Sequence, residues 1–286
     1  EMCIRDRLGT RPYGYVSFSY DLTPFIKWGE ENVIAVRVDN AEQPNSRWYS
    51  GCGIYRNVWL TKMNPVHVAQ WGTYVTAEEV SKHSARLRIC TQLQYDVELH
   101  KPDSVRQDDG TYAVFEQEII PLDVDVILRS RLVDADGDVV GEAVSEHRVM
   151  PAVPDEAEQE ILLENPNLWS IDTPYIYKVE TILQDKATGK VLDTYCTPLG
   201  IRTFRFDEQK GFILNGEQVK INGVCMHHDL GCLGAAVNIR AIRRQLEILK
   251  EMGCNGIRCS HNPPAPELLD LCDRMGFIAV SYTHLR

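Results

Sequence analysis

The sequence predicts a multidomain fold that is mainly β and ends in an α/β segment. Two patterns lead to this fold class. From about residue 13 to residue 206, short stretches of alternating apolar and polar residues follow one another, with turn residues between them. After residue 206 strand patterns alternate with helix patterns, which is typical of parallel sheets. The 286 residues allow about two or three domains.

The composition is that of an ordinary globular protein, and it narrows the classes of partner. Hydrophobic residues make up 44% and charged residues 25%, which excludes a disordered, collagen-like or coiled-coil chain. The formal net charge of −11 argues against nucleic acid, because phosphate binding needs clustered Lys and Arg. No stretch approaches the ~20 apolar residues of a membrane helix. We therefore expect neither nucleic acid nor a membrane as partner.

The two ends of the chain look foreign to the rest. The first residues read EMCIRDR and the last read VSYTHLR, and one DNA sequence read in its two orientations encodes both. That DNA resembles the transposon end used in sequencing-library preparation. Residues 1–7 and 279–286 are therefore left out of the fold prediction, and we expect the remainder to be an internal fragment. The cysteines form no CxxC pair, so they leave the localisation open.

Residues 8–64 are predicted to form the later part of a β-sandwich. Residues 15–20 and 32–38 alternate in polarity as strands do, and turn signals lie between them. Residues 65–206 form a second all-β block. Its candidate strands cover residues 66–75, 84–93, 112–117, 124–133, 158–163, 175–184 and 191–201. About seven short strands, with a hairpin turn at 134–138 and an exposed loop at 101–110, indicate an immunoglobulin-like sandwich.

Residues 207–278 carry the α/β pattern. A hairpin with an Asn215-Gly216 turn comes first. Strands are predicted at 220–224 and 256–258 and from 277, with helices at 239–252 and 264–275. Gly253 fits the end of the first helix, and Pro263 and Pro264 fit the start of the second. The pattern fits either a βα barrel or a doubly wound sheet.

Polar side chains follow the first two strands of this α/β segment. His227, His228 and Asp229 come directly after the first strand, and the second strand ends in Arg258, with His261 and Asn262 following. The carboxyl ends of parallel strands meet at one edge of a sheet, where active sites of barrels lie. Side chains of these types can bind sugar hydroxyl groups and stabilise charge in a transition state.

Other interpretations of these residues remain open at this point. His227, His228 and Asp229 could form a metal site, although adjacent side chains rarely converge on one ion, and we assign no metal. His261 could cap the second helix, and Arg258 could form an ion pair with Asp229 or Glu267.

Several runs resemble glycoside hydrolase family 2, especially its β-galactosidases. The runs NGVCMHHDLG (222–231) and GIRCSHNPPAPELLDLCDRMGF (256–277) resemble the start of its catalytic barrel. GIYRNVWL (53–60) resembles the end of its sugar-binding jelly roll. NPNLWSIDTPYIYKV (165–179) and GIRTFRF (200–206) resemble the close of its immunoglobulin-like domain. The resemblance implies a partial jelly roll (8–64), an immunoglobulin-like sandwich (65–206) and the N-terminal part of a (β/α)8 TIM barrel (207–278).

The resemblance also implies roles for individual residues. His227 and His261 match two histidines that contact the sugar in the transition state, and Arg258 matches an arginine that supports the catalytic carboxylates. Asn262 and Asp229 are weaker matches, because the run MHHDL departs from the RHEHH of many β-galactosidases. Three residues of the first domain lie where this family reaches towards its active site: Asn45, Arg47 and Trp48. Trp48 could equally pack at a domain junction.

The function implied is that of a retaining hydrolase of terminal β-galactosides, with carbohydrate as its partner. Its acid/base and nucleophile Glu would follow later barrel strands, so we expect this chain alone to be inactive. No cofactor is expected for this chain, whereas Mg²⁺ or Na⁺ and a homo-oligomer stay open for the full-length enzyme. Two alternatives remain, a β-glucuronidase of the same family and a non-catalytic carbohydrate-binding sandwich protein.

Overall fold

A computed structural model describes residues 7–42, 52–96, 103–106, 112–115 and 122–281, and for the two short segments the backbone alone. The chain divides into two compact units. One unit comprises the chain up to Leu60, a short insert at Trp169–Pro174, and everything from Phe204 on. The other comprises Thr61–Leu168 and Tyr175–Thr203. Each unit is therefore assembled from separate stretches of sequence.

The second unit is built from antiparallel strands. In chain order these strands are β1 (Val66–Glu78), β2 (Ser84–Tyr95), β3 (Asp103–Arg106), β4 (Tyr112–Phe115), β5 (Val124–Val133), β6 (Val139–Val149), β7 (Asp155–Glu164), β8 (Tyr177–Asp185) and β9 (Val191–Leu199). The described strands form a three-stranded sheet of order β1-β2-β7, a four-stranded sheet of order β6-β5-β8-β9, and the hairpin β3-β4. Inward-facing side chains alternate along these strands, which confirms the predicted β-sandwich pattern.

Buried polar residues divide the core of the sandwich into two apolar clusters. Along β2, Ile89 belongs to one cluster and Leu93 to the other, and Thr91 lies between them. Buried polar residues hold the same place on three other strands: Thr73 on β1, Ser130 on β5 and Thr181 on β8. The hydroxyl oxygens of Thr73 and Thr181 are 3.4 Å apart and join the two sheets.

Two strands of the sandwich differ from the sequence prediction. Strand β6 was not predicted, although the turn before it was. As an edge strand it presents half-exposed and exposed residues almost throughout, so its alternation is weak. The loop predicted at residues 101–110 contains β3, so that prediction is wrong over Asp103–Arg106.

The strands predicted at residues 15–20 and 32–38 are not formed. Residues 7–42 and 52–64 contain one short 3-10 turn, Thr23–Phe25, and no strand within these described ranges. Apolar side chains here are exposed, for example Val33 at 84% and Trp59 at 81%. Alternation predicts which side chains share a face, but a strand also needs a neighbour for its N–H and C=O groups. The described residues offer no such neighbour to these two stretches.

The first unit, which includes the chain from Phe204 on, contains a hairpin and a small parallel sheet. The hairpin strands are β10 (Phe204–Asp207), β11 (Gly211–Leu214) and β12 (Glu217–Gln218). Between β11 and β12, Asn215 and Gly216 have φ values of 51° and 84°, which confirms the predicted Asn-Gly turn. Residues 204–206 were predicted at the close of the sandwich, but β10 pairs with β11 in this unit.

The parallel sheet follows the predicted order of strands and helices. Its elements are β13 (Gly223–Met226), α1 (Ile239–Glu251), β14 (Gly256–Cys259), α2 (Pro266–Met275) and β15 (Ile278–Val280). The three strands are parallel neighbours in the order β13-β14-β15, and β15 extends into the residues left out of the prediction. One face of the sheet packs against both helices through a cluster that includes Leu246, Ile257 and Cys272. In the described chain neither helix combines the length and apolar character that crossing a membrane would take.

Local signals explain where the helices begin and end. The side chain of Asn238 accepts a hydrogen bond of 3.0 Å from the Ala241 N–H and caps α1. Helix α2 ends at Gly276 with a φ of 71°. It starts at Pro266, two residues after the predicted Pro264. The insert packs beside this helix, because the Trp169 indole donates a 2.7 Å hydrogen bond to the Asp273 carbonyl oxygen.

Candidate functional site

The candidate site lies where β13 and β14 end. Met226 and Cys259 are paired in the parallel register, and the Ser260 N–H donates a 2.8 Å hydrogen bond to the Met226 carbonyl oxygen. The two strands therefore end at the same level. The loops that follow them leave from one edge of the sheet, as the sequence predicted.

His227 and His261 face each other at this edge. Their ring centroids are 6.0 Å apart, and the ring planes are inclined at 64°. His227 Nδ1 lies 3.0 Å from the Ser260 carbonyl oxygen, so this nitrogen carries the proton. Because this hydrogen bond joins the two loops, it fixes the His227 ring beside His261. His227 is exposed and His261 half-buried, so both rings remain accessible to a ligand.

His228 is half-buried and has different neighbours from this pair. Its ring packs against Tyr15 with centroids 5.1 Å apart, and it is hydrogen-bonded to the backbone of Asn262. Burial, reinforced by the positive charge of Arg56, lowers the pKa of His228 below its ordinary value of 6.5. Its Nε2 atom has no hydrogen-bond partner among the described residues. His228 is therefore a packing residue of the site, whereas the sequence analysis considered it as one of three possible metal ligands.

Two residues of the N-terminal segment hold the loop after β14. Arg56 donates 2.8 Å and 2.7 Å hydrogen bonds to the carbonyl oxygens of Tyr15 and Pro263. The Tyr13 hydroxyl donates a 2.6 Å hydrogen bond to Asn262 Oδ1. Sequence reasoning missed both residues. For Arg56 a signal was present, since it lies in the run GIYRNVWL.

Arg258 lies on the sheet face opposite the helices. It is exposed, and its register neighbour Cys225 lies on the same face. Its Nη1 is 3.6 Å from Cys225 Sγ and donates a 3.3 Å hydrogen bond to Ser260 Oγ. Hydrogen bonds from Arg258 and Ser260 lower the pKa of the Cys225 thiol. Arg258 thus lies on β14 one residue before the end of the strand, and its hydrogen bond to Ser260 links it to the loop that carries His261.

The remaining predicted residues have different outcomes. Asn262 lies beside His261 with its amide oxygen bound by Tyr13. Asp229 accepts a 2.8 Å hydrogen bond from the Gly231 N–H, so its carboxylate stabilises a turn. His261 is not the cap of α2, because the N-cap is Ala265 and no side chain caps that helix. Three predicted contacts lie outside the described residues: Asn45, Arg47 and Trp48.

The histidine pair does not belong to a cluster of potential metal ligands. Within the described ranges, one group of three such side chains has ligand atoms within 4.8 Å of one another, namely Cys90, Glu156 and Glu158 of the sandwich. One of these, Glu158, is paired with Arg88. Imidazole, amide and guanidinium groups at the sheet edge can make the hydrogen bonds that a polyhydroxylated ligand needs.

Comparison with known families matches both parts of the chain. Residues 207–285 match the family described as glycosyl hydrolases family 2, TIM barrel domain. Residues 74–202 match a second family model, described as glycosyl hydrolases family 2. The two matched regions follow one another in the order that the sequence resemblance predicted.

Individual relatives agree with these matches. A β-galactosidase of Bacteroides ovatus is 57% identical over 273 residues, which cover 96% of this chain and 29% of the relative. A β-glucuronidase of Formosa agariphila is 33% identical, covering 96% of this chain and 28% of the relative. A solved family 2 glycosyl hydrolase from Bacteroides cellulosilyticus superposes with a TM-score of 0.81 at 36% identity, covering 93% of this chain and 33% of that one. The chain thus spans about a third or less of these relatives.

Proposed function

Because the chain belongs to family 2 of the glycosyl hydrolases, we propose that it forms the transition-state-binding part of a retaining β-glycosidase that acts on terminal β-galactosides. The observation that carries this proposal is the pair His227 and His261, whose rings lie 6.0 Å apart at the ends of adjacent parallel strands. A non-catalytic sugar-binding sandwich has no need of such a pair on an α/β sheet.

The geometry supports different roles for the two histidines and for Arg258. Both imidazoles can donate or accept hydrogen bonds to the hydroxyl groups of a sugar, and such bonds strengthen as the ring flattens towards an oxocarbenium-like transition state. Arg258, near the end of β14, provides a fixed positive charge that can support catalytic carboxylates. In this mechanism two carboxylates about 5 Å apart act as acid/base and nucleophile, and the family resemblance assigns them to later barrel strands.

The sugar specificity is proposed from the relatives. The β-galactosidase is 57% identical to this chain and the β-glucuronidase 33%, so a galactoside is the favoured substrate. A glucuronide carries an additional carboxylate. A site for it would need a dedicated cation near the sugar.

The experiment is a substrate panel with the full-length enzyme that contains this chain. We expect kcat/KM for nitrophenyl β-galactoside to exceed that for nitrophenyl β-glucuronide by at least about 100-fold. Proton NMR of the first-formed sugar should show the β-anomer, since a retaining enzyme keeps the configuration. If the enzyme prefers the glucuronide, the proposed galactoside specificity is wrong and the β-glucuronidase alternative takes its place. Binding of galactose without hydrolysis of any glycoside would favour the non-catalytic alternative.

A further inference from the structure

The loop that carries His261 is held at every residue around that histidine. Ser260 is bound through its carbonyl oxygen by His227 at 3.0 Å. Asn262 is bound through its side chain by Tyr13 and through its backbone by His228. Pro263 is bound through its carbonyl oxygen by Arg56 at 2.7 Å. The orientation of the His261 ring therefore depends on groups that lie far from it in sequence.

Arg56 makes one of the two contacts that reach this loop from the N-terminal segment. It lies 207 residues before Pro263, and its other terminal nitrogen binds the Tyr15 carbonyl oxygen at 2.8 Å. One planar guanidinium thus joins two backbone carbonyl groups from separate stretches of the chain. The guanidinium carbon also lies 5.3 Å from the centre of the Tyr55 ring, which limits its freedom to turn. A lysine in this place could bind one carbonyl group but could not supply the rigid fork.

The surroundings strengthen these hydrogen bonds. Arg56 is partly buried, and its Nε atom is buried without a partner among the described residues. Hydrogen bonds from a charged donor in a partly buried place are stronger than those between neutral groups in water. The ring of His228 packs on Tyr15 beside this contact, and the positive charge of Arg56 adds to burial in lowering the pKa of His228.

We propose that Arg56 is a positioning residue for His261. With Tyr13 it fixes the loop of residues 260–263, and the loop in turn holds the His261 ring at the distance from His227 at which both can contact one sugar. The kinetic consequence rests on the proposed glycosidase function. The structural consequence, a change in the state of His261, does not.

The structural consequence is tested in the 286-residue chain. The ring signal of His261 in a ¹H–¹³C NMR spectrum is identified by its loss in His261→Gln. We expect Arg56→Gln to shift or broaden this signal and to speed hydrogen exchange in the peptide that contains residues 260–263 at least about tenfold. Arg37→Gln is the matched control, because Arg37 is exposed in the same segment and pairs with nearby Asp39.

The kinetic consequence is tested in the full-length enzyme on nitrophenyl β-galactoside. We expect Arg56→Gln to lower kcat about 10- to 100-fold with a change in KM below about threefold, because a misplaced group costs more in the transition state than in substrate binding. Arg56→Lys should recover part of this loss. Tyr13→Phe, which removes one hydroxyl group, should lower kcat about fivefold.

These results separate the two proposals. An unchanged His261 signal and unchanged exchange in a folded Arg56→Gln chain would overturn the positioning role, as would equal effects in Arg37→Gln. If Arg56→Gln does not fold, Tyr13→Phe decides by the same two measurements. A changed His261 signal in an enzyme that hydrolyses no galactoside would refute the proposed substrate and leave the positioning of His261 standing.

Discussion

The rings of His227 and His261 lie 6.0 Å apart although they follow different strands of the sheet. The relation is set by the backbone, because Met226 and Cys259, which end the two strands, are register partners. A hydrogen bond from the His227 ring to the Ser260 carbonyl oxygen then holds one loop against the other. The pair is thus a property of two adjacent parallel strands and the loop connecting each to its helix.

The first prediction concerns catalysis by this pair. In the full-length enzyme, His261→Ala should lower kcat/KM for nitrophenyl β-galactoside about 100- to 1000-fold, the usual loss when a transition-state hydrogen-bond donor is removed. The melting temperature should change little, since the half-buried ring does not cap α2. His83→Ala, at an exposed site of the sandwich, serves as the control. A parallel loss of stability and activity would mean that His261 is a structural residue.

The second prediction concerns pH. The pKa of His228 is lowered in the folded chain, by burial first and by the charges of Arg56 and His227 after it, so the unfolded chain binds its proton more tightly. Its contribution to stability is therefore complete above about pH 6.5 and declines as the pH falls towards the folded pKa. We compare melting temperatures over about two pH units, from about pH 7 down to about pH 5, which spans the ordinary pKa of histidine. Over this range the melting temperature of the unit that contains His228 should fall more steeply in the wild type than in His228→Gln. Parallel curves would show that the ring does not titrate as described.

The third prediction compares two glycines that end helices. Gly253 follows α1 with a φ of 82°, and a β-carbon there would meet no atom within 4 Å. Gly276 follows α2 with a φ of 71°, but its β-carbon would lie 2.1 Å from the Ile171 carbonyl oxygen. We expect Gly253→Ala to cost about 1 kcal/mol for the left-handed backbone and Gly276→Ala roughly 3–5 kcal/mol, measured by urea unfolding. Equal costs would mean that the insert does not pack on α2 as described.

The fourth prediction concerns the polar residues between the two apolar clusters of the sandwich. Thr91 is completely buried, and its hydroxyl group has no partner among the described residues. Thr91→Val should therefore raise the free energy of unfolding by about 1 kcal/mol, because an unsatisfied hydroxyl group is removed from the core. The control Thr194→Val is exposed on β9 and should stay within about 0.5 kcal/mol. A loss of stability in Thr91→Val would show that a water molecule or shifted side chain satisfies the hydroxyl group.

Periodicity was sufficient to predict the elements near the site but not all of its contacts. Ile242 and Leu246 face the sheet at helical spacing, so α1 was predicted to within one residue, whereas the first parallel strand was predicted at 220–224 and lies at Gly223–Met226. Strand β6 was missed because an edge strand lacks a fully buried face. The contact of Arg56 with Pro263 spans 207 residues, and no local pattern encodes a partner at that distance.

The insert Trp169–Pro174 leaves the sandwich sequence to join the unit that contains the histidines. It binds that unit through the Trp169 indole and through the Ile171 carbonyl oxygen, which accepts a 3.0 Å hydrogen bond from Lys250. An engineer who exchanged the sandwich with that of a relative as one block would remove these six residues from their partners. A chimera that folds has to keep the native insert. Otherwise it has to take from the relative both the insert and the residues of α2 that contact it.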